Sequence, residues 1–272
     1  MEPVTWAWIF IALGVMALVL SVVLRSSEPG SILQGPRTIR NLPTAGILVH
    51  SFDGYRRYWP GWYHFFQKHH SDPVWPIYFA TEEKSVAPWI PDHPQHHHLL
   101  TGKGSWGYRL MEALKKMPEE YVLYMQEDMW LTGTLRPDYL QEALTRMKSL
   151  NLNQMKLQSN CQHVVGMPTD YNNSLWYVVS HQPGLWKKSF LMSSLDPTSS
   201  PFQHETQLND NLHRRPDLAS LCRCNQDFVS ATFPYEDVSR QGRLRDVGHQ
   251  MLEQEGLEFV TEKDEVMYRA AQ

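Results

Sequence analysis

Glu127 and Asp128 are adjacent carboxylates at the end of a mostly apolar run, Tyr121-Val122-Leu123-Tyr124-Met125-Gln126. That run reads as a buried central strand. An ionised carboxylate is costly to bury unless it is paired or binds a metal. In an open α/β sheet, ligands sit just outside the carboxyl ends of the strands. The pair therefore stands where a hard cation and its phosphate ligand are expected. The plainer alternative is a strand that simply ends, with its carboxylates in water or in a structural ion pair. A second chemistry is offered by His69, His70, His93, His96, His97 and His98, which a zinc or nickel site could use. Neighbours such as His96 and His97 point to opposite faces of a strand. They also lack the i, i+4 spacing of a helical metal pair. A surface loop of histidines competes with that reading. The three cysteines, Cys161, Cys222 and Cys224, are too few and too odd in number for a disulfide framework. Cys222-x-Cys224 is too short for the usual zinc spacing.

Positioning two carboxylates at a strand end requires a sheet, and the chain supplies one. From Ala45 to Leu150, strand and helix patterns alternate. Gly46 to Phe52 reads as a first buried strand, closed by the Asp53-Gly54 turn. Tyr55 to His69 has helical length, with Pro60-Gly61 as a possible interruption. Pro76 to Thr81 is a second strand, and His97 to Leu100 a short third. Ser105 is an N-cap for a helix to about Met117, with Trp106, Leu110 and Leu114 on one face. Pro137 opens the next helix, which runs to about Leu150. The alternation predicts a mostly parallel, Rossmann-like sheet with helices on both faces. Beyond it the pattern is less regular. Strands are expected at 154–158, 175–180 and 227–233, and helices at 184–195, 201–214 and 243–255.

The folded part, 45–272, is preceded by two segments of different character. Val4 to Leu24 carries no charge. As a helix it would be about 30 Å long, enough to span a bilayer once, and Trp6 and Trp8 suit an interfacial position. Residues 1–25 are thus expected to be a transmembrane anchor. Arg25, Arg37 and Arg40 follow the span, which taken literally leaves the main domain in the cytosol. The Asn172-Asn173-Ser174 sequon points the other way, so the side stays open. Residues 26–44, dense in Ser, Gly and Pro, read as a stalk. The chain's net charge of −4 and pI near 6.3 come without a long basic run. Nucleic-acid binding through a basic surface is therefore disfavoured.

Five stretches in this order resemble nucleotide-sugar-dependent glycosyltransferases of the GT-A fold. They are His50-Ser51-Phe52-Asp53-Gly54-Tyr55, Gly104-Ser105-Trp106-Gly107-Tyr108-Arg109-Leu110, Tyr124-Met125-Gln126-Glu127-Asp128, Gln182-Pro183-Gly184-Leu185-Trp186 and Ser200-Pro201-Phe202-Gln203-His204-Glu205. The similarity covers roughly Ala45 to Glu255. It implies transfer of a sugar from a nucleotide-sugar donor to a hydroxyl of a glycan, lipid or protein acceptor. Donor contacts fall on Ser51, Asp53, Tyr55, Trp106, Arg109 and Glu127. A divalent metal, Mn²⁺ or Mg²⁺, falls on Asp128. Glu205 is the implied catalytic base, and Trp186 the acceptor contact. Each residue has an ordinary alternative. Asp53-Gly54 can be a plain turn, and Arg109 a solvated surface arginine. Glu205 can be a first-turn glutamate favoured by the helix dipole, and Trp186 can belong to the core. The family's metal motif is usually Asp-x-Asp, whereas Gln126 stands here in place of the first acid. That departure leaves open a catalytically inactive nucleotide-sugar-binding protein of the same fold.

Overall fold

A computed structural model describes residues 45–70, 74–87, 90–91, 93–157, 177–224, 233–262 and 265–270. The chain divides into two units, Met1–Leu42 and Pro43–Gln272, and all described residues belong to the second. The expected span at 4–24 and stalk at 26–44 lie outside them, as do the sequon and Cys161. No helix among the described residues is long and apolar enough to cross a membrane.

The strands are β1 (Ala45–His50), β2 (Ile77–Thr81), β3 (His96–Leu100), β4 (Tyr121–Gln126), β5 (Met129–Leu131), β6 (Gln154–Lys156), β7 (Gly184–Lys187), β8 (Cys222–Cys224), β9 (Tyr235–Asp237), β10 (Ser239–Arg240), β11 (Arg243–Leu244), β12 (Leu257–Glu262) and β13 (Glu265–Ala270). The α-helices are α1 (Trp59–His69), α2 (Trp106–Lys116), α3 (Pro137–Ser149), α4 (Lys188–Ser194), α5 (Pro201–His213), α6 (Pro216–Ala219) and α7 (Asp246–Gln254). A 3-10 turn, Asp53–Tyr58, precedes α1.

Seven strands form one sheet in the order β3-β2-β1-β4-β7-β6-β8. β1 pairs in parallel with β2 and β4, β2 with β3, and β6 with β8. β7 runs antiparallel to both β4 and β6. The architecture is thus α/β with a mostly parallel sheet. β1 and β4 take the centre because both faces of each are apolar. Ile47, Val49, Leu123 and Met125 pack on one side with α1, α3 and α7. Leu48, Val122 and Tyr124 pack on the other with α2, α4 and α5. Parallel pairing brings the carboxyl ends of β1 and β4 together, with His50 opposite Gln126.

Pro60 does not interrupt α1. It sits in the first turn, where its missing N–H has no intrahelical partner to lose. The expected helix at 184–195 is instead a strand, β7, followed by the short α4. Burial between β4 and β6 decides this conformation, which local periodicity does not show. The expected helix at 243–255 starts only at Asp246, because Arg243 and Leu244 close a hairpin with β10. Residues 177–180 carry no strand, and most of the expected strand at 227–233 lies outside the described residues. Cys222 is free and buried, and Cys224 is disulfide-bonded.

Candidate active site

A cleft of about 220 Å³ opens at the carboxyl ends of β1 and β4. Ser51 and Tyr55 reach it from the turn after β1, and Trp106 and Arg109 from the first turn of α2. Gln126, Glu127 and Asp128 reach it from the end of β4, and Pro201 from the start of α5. Ser105 caps α2 by accepting from Tyr108 N at 3.3 Å. Gly107 N donates to Ser199 O at 3.0 Å. A Cβ at Gly107 would collide with the carbonyl of Asp196. Glycine therefore lets α2 lie against the segment leading into α5.

The two carboxylates stand in different surroundings. Glu127 is 4% exposed. Burial and the neighbouring Asp128 push its pKa well up, against a hydrogen bond from Ser51 and the charge of Arg109. Trp59 Nε1 donates to Ser51 Oγ at 2.7 Å and holds that hydroxyl in place. Asp128 is half-buried, and its Oδ2 accepts from Ser239 Oγ at 2.6 Å. Burial, with Asp237 adding to it, raises Asp128 to about 6. Val238 N donates to Asp128 O at 2.9 Å, so the segment after β9 is fastened to the end of β4.

Arg109 is not a solvated surface residue. It is 7% exposed, and its Nη1 donates to Ser51 O at 3.0 Å. It lies 3.9 Å from Glu82 Oε1, with its guanidinium 5.2 Å over the Phe52 ring. Burial lowers its pKa, opposed by Glu82 and Glu127. Tyr55 packs on Phe52 and Tyr58, at 4.6 and 5.3 Å between ring centroids. Its hydroxyl meets Ser239 and the backbone of Gly242; burial and the two carboxylates raise its pKa. Trp106 stands edge-on to His50 at 5.7 Å. Gln126, where the family pattern has an acid, donates through Nε2 to Tyr124 OH at 3.0 Å.

Three expected site residues do not line the cleft. The Asp53 carboxylate accepts from the amides of Glu82, Glu83 and Lys84 at 3.2 to 3.3 Å. It ties down the loop after β2. Trp186 is fully buried on β7, stacked 5.8 Å from His181. An indole with no exposed face cannot stack on an acceptor sugar, which corrects the expectation drawn for it. Glu205 lies in the first turns of α5, four residues past Pro201, and accepts from His181 N at 2.9 Å. Burial raises its pKa against that bond, Ser180 and Lys156. α5 is fastened there by His204 Nδ1, 2.8 Å from His181 Nε2, and by Asn209, which bonds both backbone groups of Val179 at 2.9 Å.

Sequence reasoning missed one group that lines the cleft and three that contact its lining residues. His50 lies on its floor, held near pKa 3 by burial and by Arg109, so it is neutral. Its Nε2 has no protein partner among the described residues. A polar residue ending a buried strand was the available signal. Glu82, Asp237 and Ser239 come from distant segments and gave none. The histidine stretch behaves otherwise. His97 stacks on Tyr78 at 4.8 Å, and His98 Nε2 lies 2.8 Å from Thr81 Oγ1. Among the described residues, no group of three His, Cys, Asp or Glu side chains is placed to hold a metal ion.

No protein-family model matches the sequence, and no curated protein matches it. Among solved structures the chain is similar to TarS 1-349 of S. aureus, with 14% identity and a TM-score of 0.42 over 61% of this chain and 55% of that one. It is also similar to the same protein in complex with UDP-GlcNAc, with 13% identity and a TM-score of 0.40, over 61% and 54%. A structure described as a nucleotide-diphospho-sugar transferase from Desulfovibrio desulfuricans G20 aligns at 11% identity and a TM-score of 0.40, over 67% and 79%. The chain spans about half the length of the TarS 1-349 structures. At TM-scores below 0.5 that likeness carries no weight on activity, which must be read from the cleft.

Proposed function

We propose that this chain is a glycosyltransferase that moves a sugar from a nucleotide-sugar donor to an acceptor hydroxyl. The observation that carries the proposal is the adjacent pair of buried Glu127 and half-buried Asp128, both raised in pKa, facing a cleft with Arg109 at the end of the central strand. Breaking a sugar–diphosphate bond builds negative charge on the leaving group. Arg109 sits beside that position and can offer a charge-assisted bond. Asp128 fits a divalent cation, Mn²⁺ or Mg²⁺. Among the described residues its carboxylate makes no ion pair, and such ions take one or two carboxylates and leave positions for phosphate oxygens. When bound, the ion would neutralise the diphosphate. Ser51, Tyr55 and Trp106 form the walls for the donor. Glu205 is the proposed base for the acceptor hydroxyl on the motif resemblance; burial raises its pKa, and it lies outside the cleft lining with its carboxylate accepting from His181 N.

The uncharged run 4–24 supports anchoring to a membrane by a single helix, and the acceptor is a glycan, lipid or protein. The disulfide at Cys224 supports an oxidising compartment for the domain. A binding protein without transfer activity is the second reading. It is favoured by Gln126, which turns to Tyr124, and by Glu205, which is engaged with His181 N away from the cleft lining. A donor screen separates the two. The chain is incubated with a panel of nucleotide sugars, Mn²⁺ and a broad acceptor panel, and free nucleotide and glycosylated product are measured. Transfer from any donor supports the enzyme. Saturable donor binding with no product supports the second reading, and no binding of any donor sinks both.

A further inference from the structure

The hairpin β10–β11 carries an arrangement that the donor cleft does not explain. Its two-residue turn, Gln241-Gly242, has both φ angles positive, 52° and 74°, as in a type I′ turn. The register places Arg240 directly opposite Arg243. Like charges directly opposed across two strands destabilise the pair. Both arginines are exposed, and no acidic residue occurs between Val238 and Arg245. Among the described residues neither makes an ion pair.

The same hairpin is fixed at the cleft mouth. Ser239 Oγ bonds Asp128 at 2.6 Å, and the Gly242 backbone meets the Tyr55 hydroxyl. Side chains alternate along a strand. Ser239 and its partner Leu244 face inward, so Arg240 and Arg243 face outward from the same rim. Exposed Arg245 follows on the chain, one of its nitrogens donating to Asp237 O. Inside, Glu127 and Asp128 share the cleft lining with one cation among the described residues, Arg109, already engaged by Ser51 and Glu82; Asp237, outside that lining, is met by Arg245. Negative charge inside and positive charge outside distinguish two binding positions. A polyanion is attracted to the outer face and not, without a counter-ion, to the inner one.

We infer that Arg240 and Arg243 form an anion-binding rim that takes a phosphate group of the acceptor. The inference rests on the transferase reading and adds the acceptor's chemical class: a phosphate-bearing chain laid across the outer face of the hairpin. Two guanidinium forks about one strand spacing apart suit one phosphate held by several charge-assisted bonds. Binding would also relieve the repulsion within the pair.

The experiment uses the full-length chain in uncharged detergent. Calorimetry measures binding of sodium tripolyphosphate, and separately of UDP with Mn²⁺, to the wild type and to R240Q/R243Q. A K-for-R version, R240K/R243K, keeps the charges, and circular dichroism checks the fold. The expected result is a loss of tripolyphosphate affinity of roughly tenfold or more in R240Q/R243Q. R240K/R243K should lose less, added salt should weaken wild-type binding, and UDP affinity should not change. Unchanged tripolyphosphate binding in R240Q/R243Q overturns the inference. An equal loss of UDP affinity also overturns it, because the pair then serves the donor diphosphate. If tripolyphosphate binding depends on the pair but no nucleotide sugar is ever bound, the transferase reading falls while the anion rim stands.

Discussion

Asp128→Asn should make the protein more stable and less functional at once, and the size of the gain should depend on pH. Asp128 ionises at about 6 in the folded protein, against 3.8 for the free side chain. Between those values the folded chain keeps a proton that the unfolded chain has released, so stability falls as pH rises through the window. Above it the full cost remains. Two units correspond to about 3 kcal/mol. That is an upper bound, because the side chain is half-buried and water screens part of the effect. Asparagine is nearly isosteric, can still accept from Ser239 Oγ, and no longer repels Glu127. At pH 7.5 without divalent metal, Asp128→Asn should gain about 1–3 kcal/mol. That is a rise in Tm of roughly 2–4 °C per kcal/mol for a domain of this size. Near pH 3, below both values, the gain should vanish. Thermal melts followed by circular dichroism at both pH values provide the measurement. A gain of equal size at both, or a loss at pH 7.5, would refute the reasoning. In parallel, Mn²⁺-dependent binding of the nucleotide sugar should be strongly weakened. Donor binding that ignores both EDTA and the substitution would remove the metal from the mechanism.

Three further outcomes are expected. Glu205→Gln should keep the fold and donor affinity, because its amide oxygen can still accept from His181 N, while transfer falls by about 10²–10⁴. Unchanged turnover in a coupled nucleotide-release assay would leave Glu205 as a helix-fastening residue only. Trp186→Phe should cost about 0.5–3 kcal/mol in denaturant unfolding, with no change in acceptor KM; a raised KM at constant stability would restore an acceptor role. Removing residues 1–25 should give a chain that stays in solution without detergent and keeps its far-UV circular dichroism. Precipitation or unfolding would mean that the apolar run belongs to the folded core.

The sheet was legible where burial and local pattern agree. β1, β2, β4, α2 and α3 carry continuous apolar runs or a helical stripe with a cap or a first-turn proline. Their packing partners lie on both faces, so the alternation alone defines them. β7 was illegible because Gly184-Leu185-Trp186 is as apolar as a helix face, and only the gap between β4 and β6 makes it a strand. β5, β8, β9, β10 and β11 have two or three residues each, too few for any period to show. At the cleft, residues following a long strand or opening a capped helix were readable: Ser51, Tyr55, Trp106, Arg109, Glu127 and Asp128. Asp53 has the right position in the chain but spends its carboxylate on three backbone amides of the next loop. Ser239 and Asp237 escaped notice because nothing local distinguishes a serine or an aspartate that will fold back onto Asp128.

The bond from Ser239 to Asp128 joins residues 111 positions apart, and this has a consequence for assembly on the ribosome. The central pair β1–β4 already needs a loop of some seventy residues to close, a slow, non-local step. Once β7 has emerged it can flank β4, yet the acidic pair would still lack the segment after β9. Only when the chain beyond residue 239 is free can the hydroxyl that holds Asp128 arrive. A nascent chain released only as far as residue 224 would therefore carry all seven strands of the sheet with an open, water-filled acidic edge. Substrate binding and final compaction should appear together, late, and after most of the secondary structure is in place.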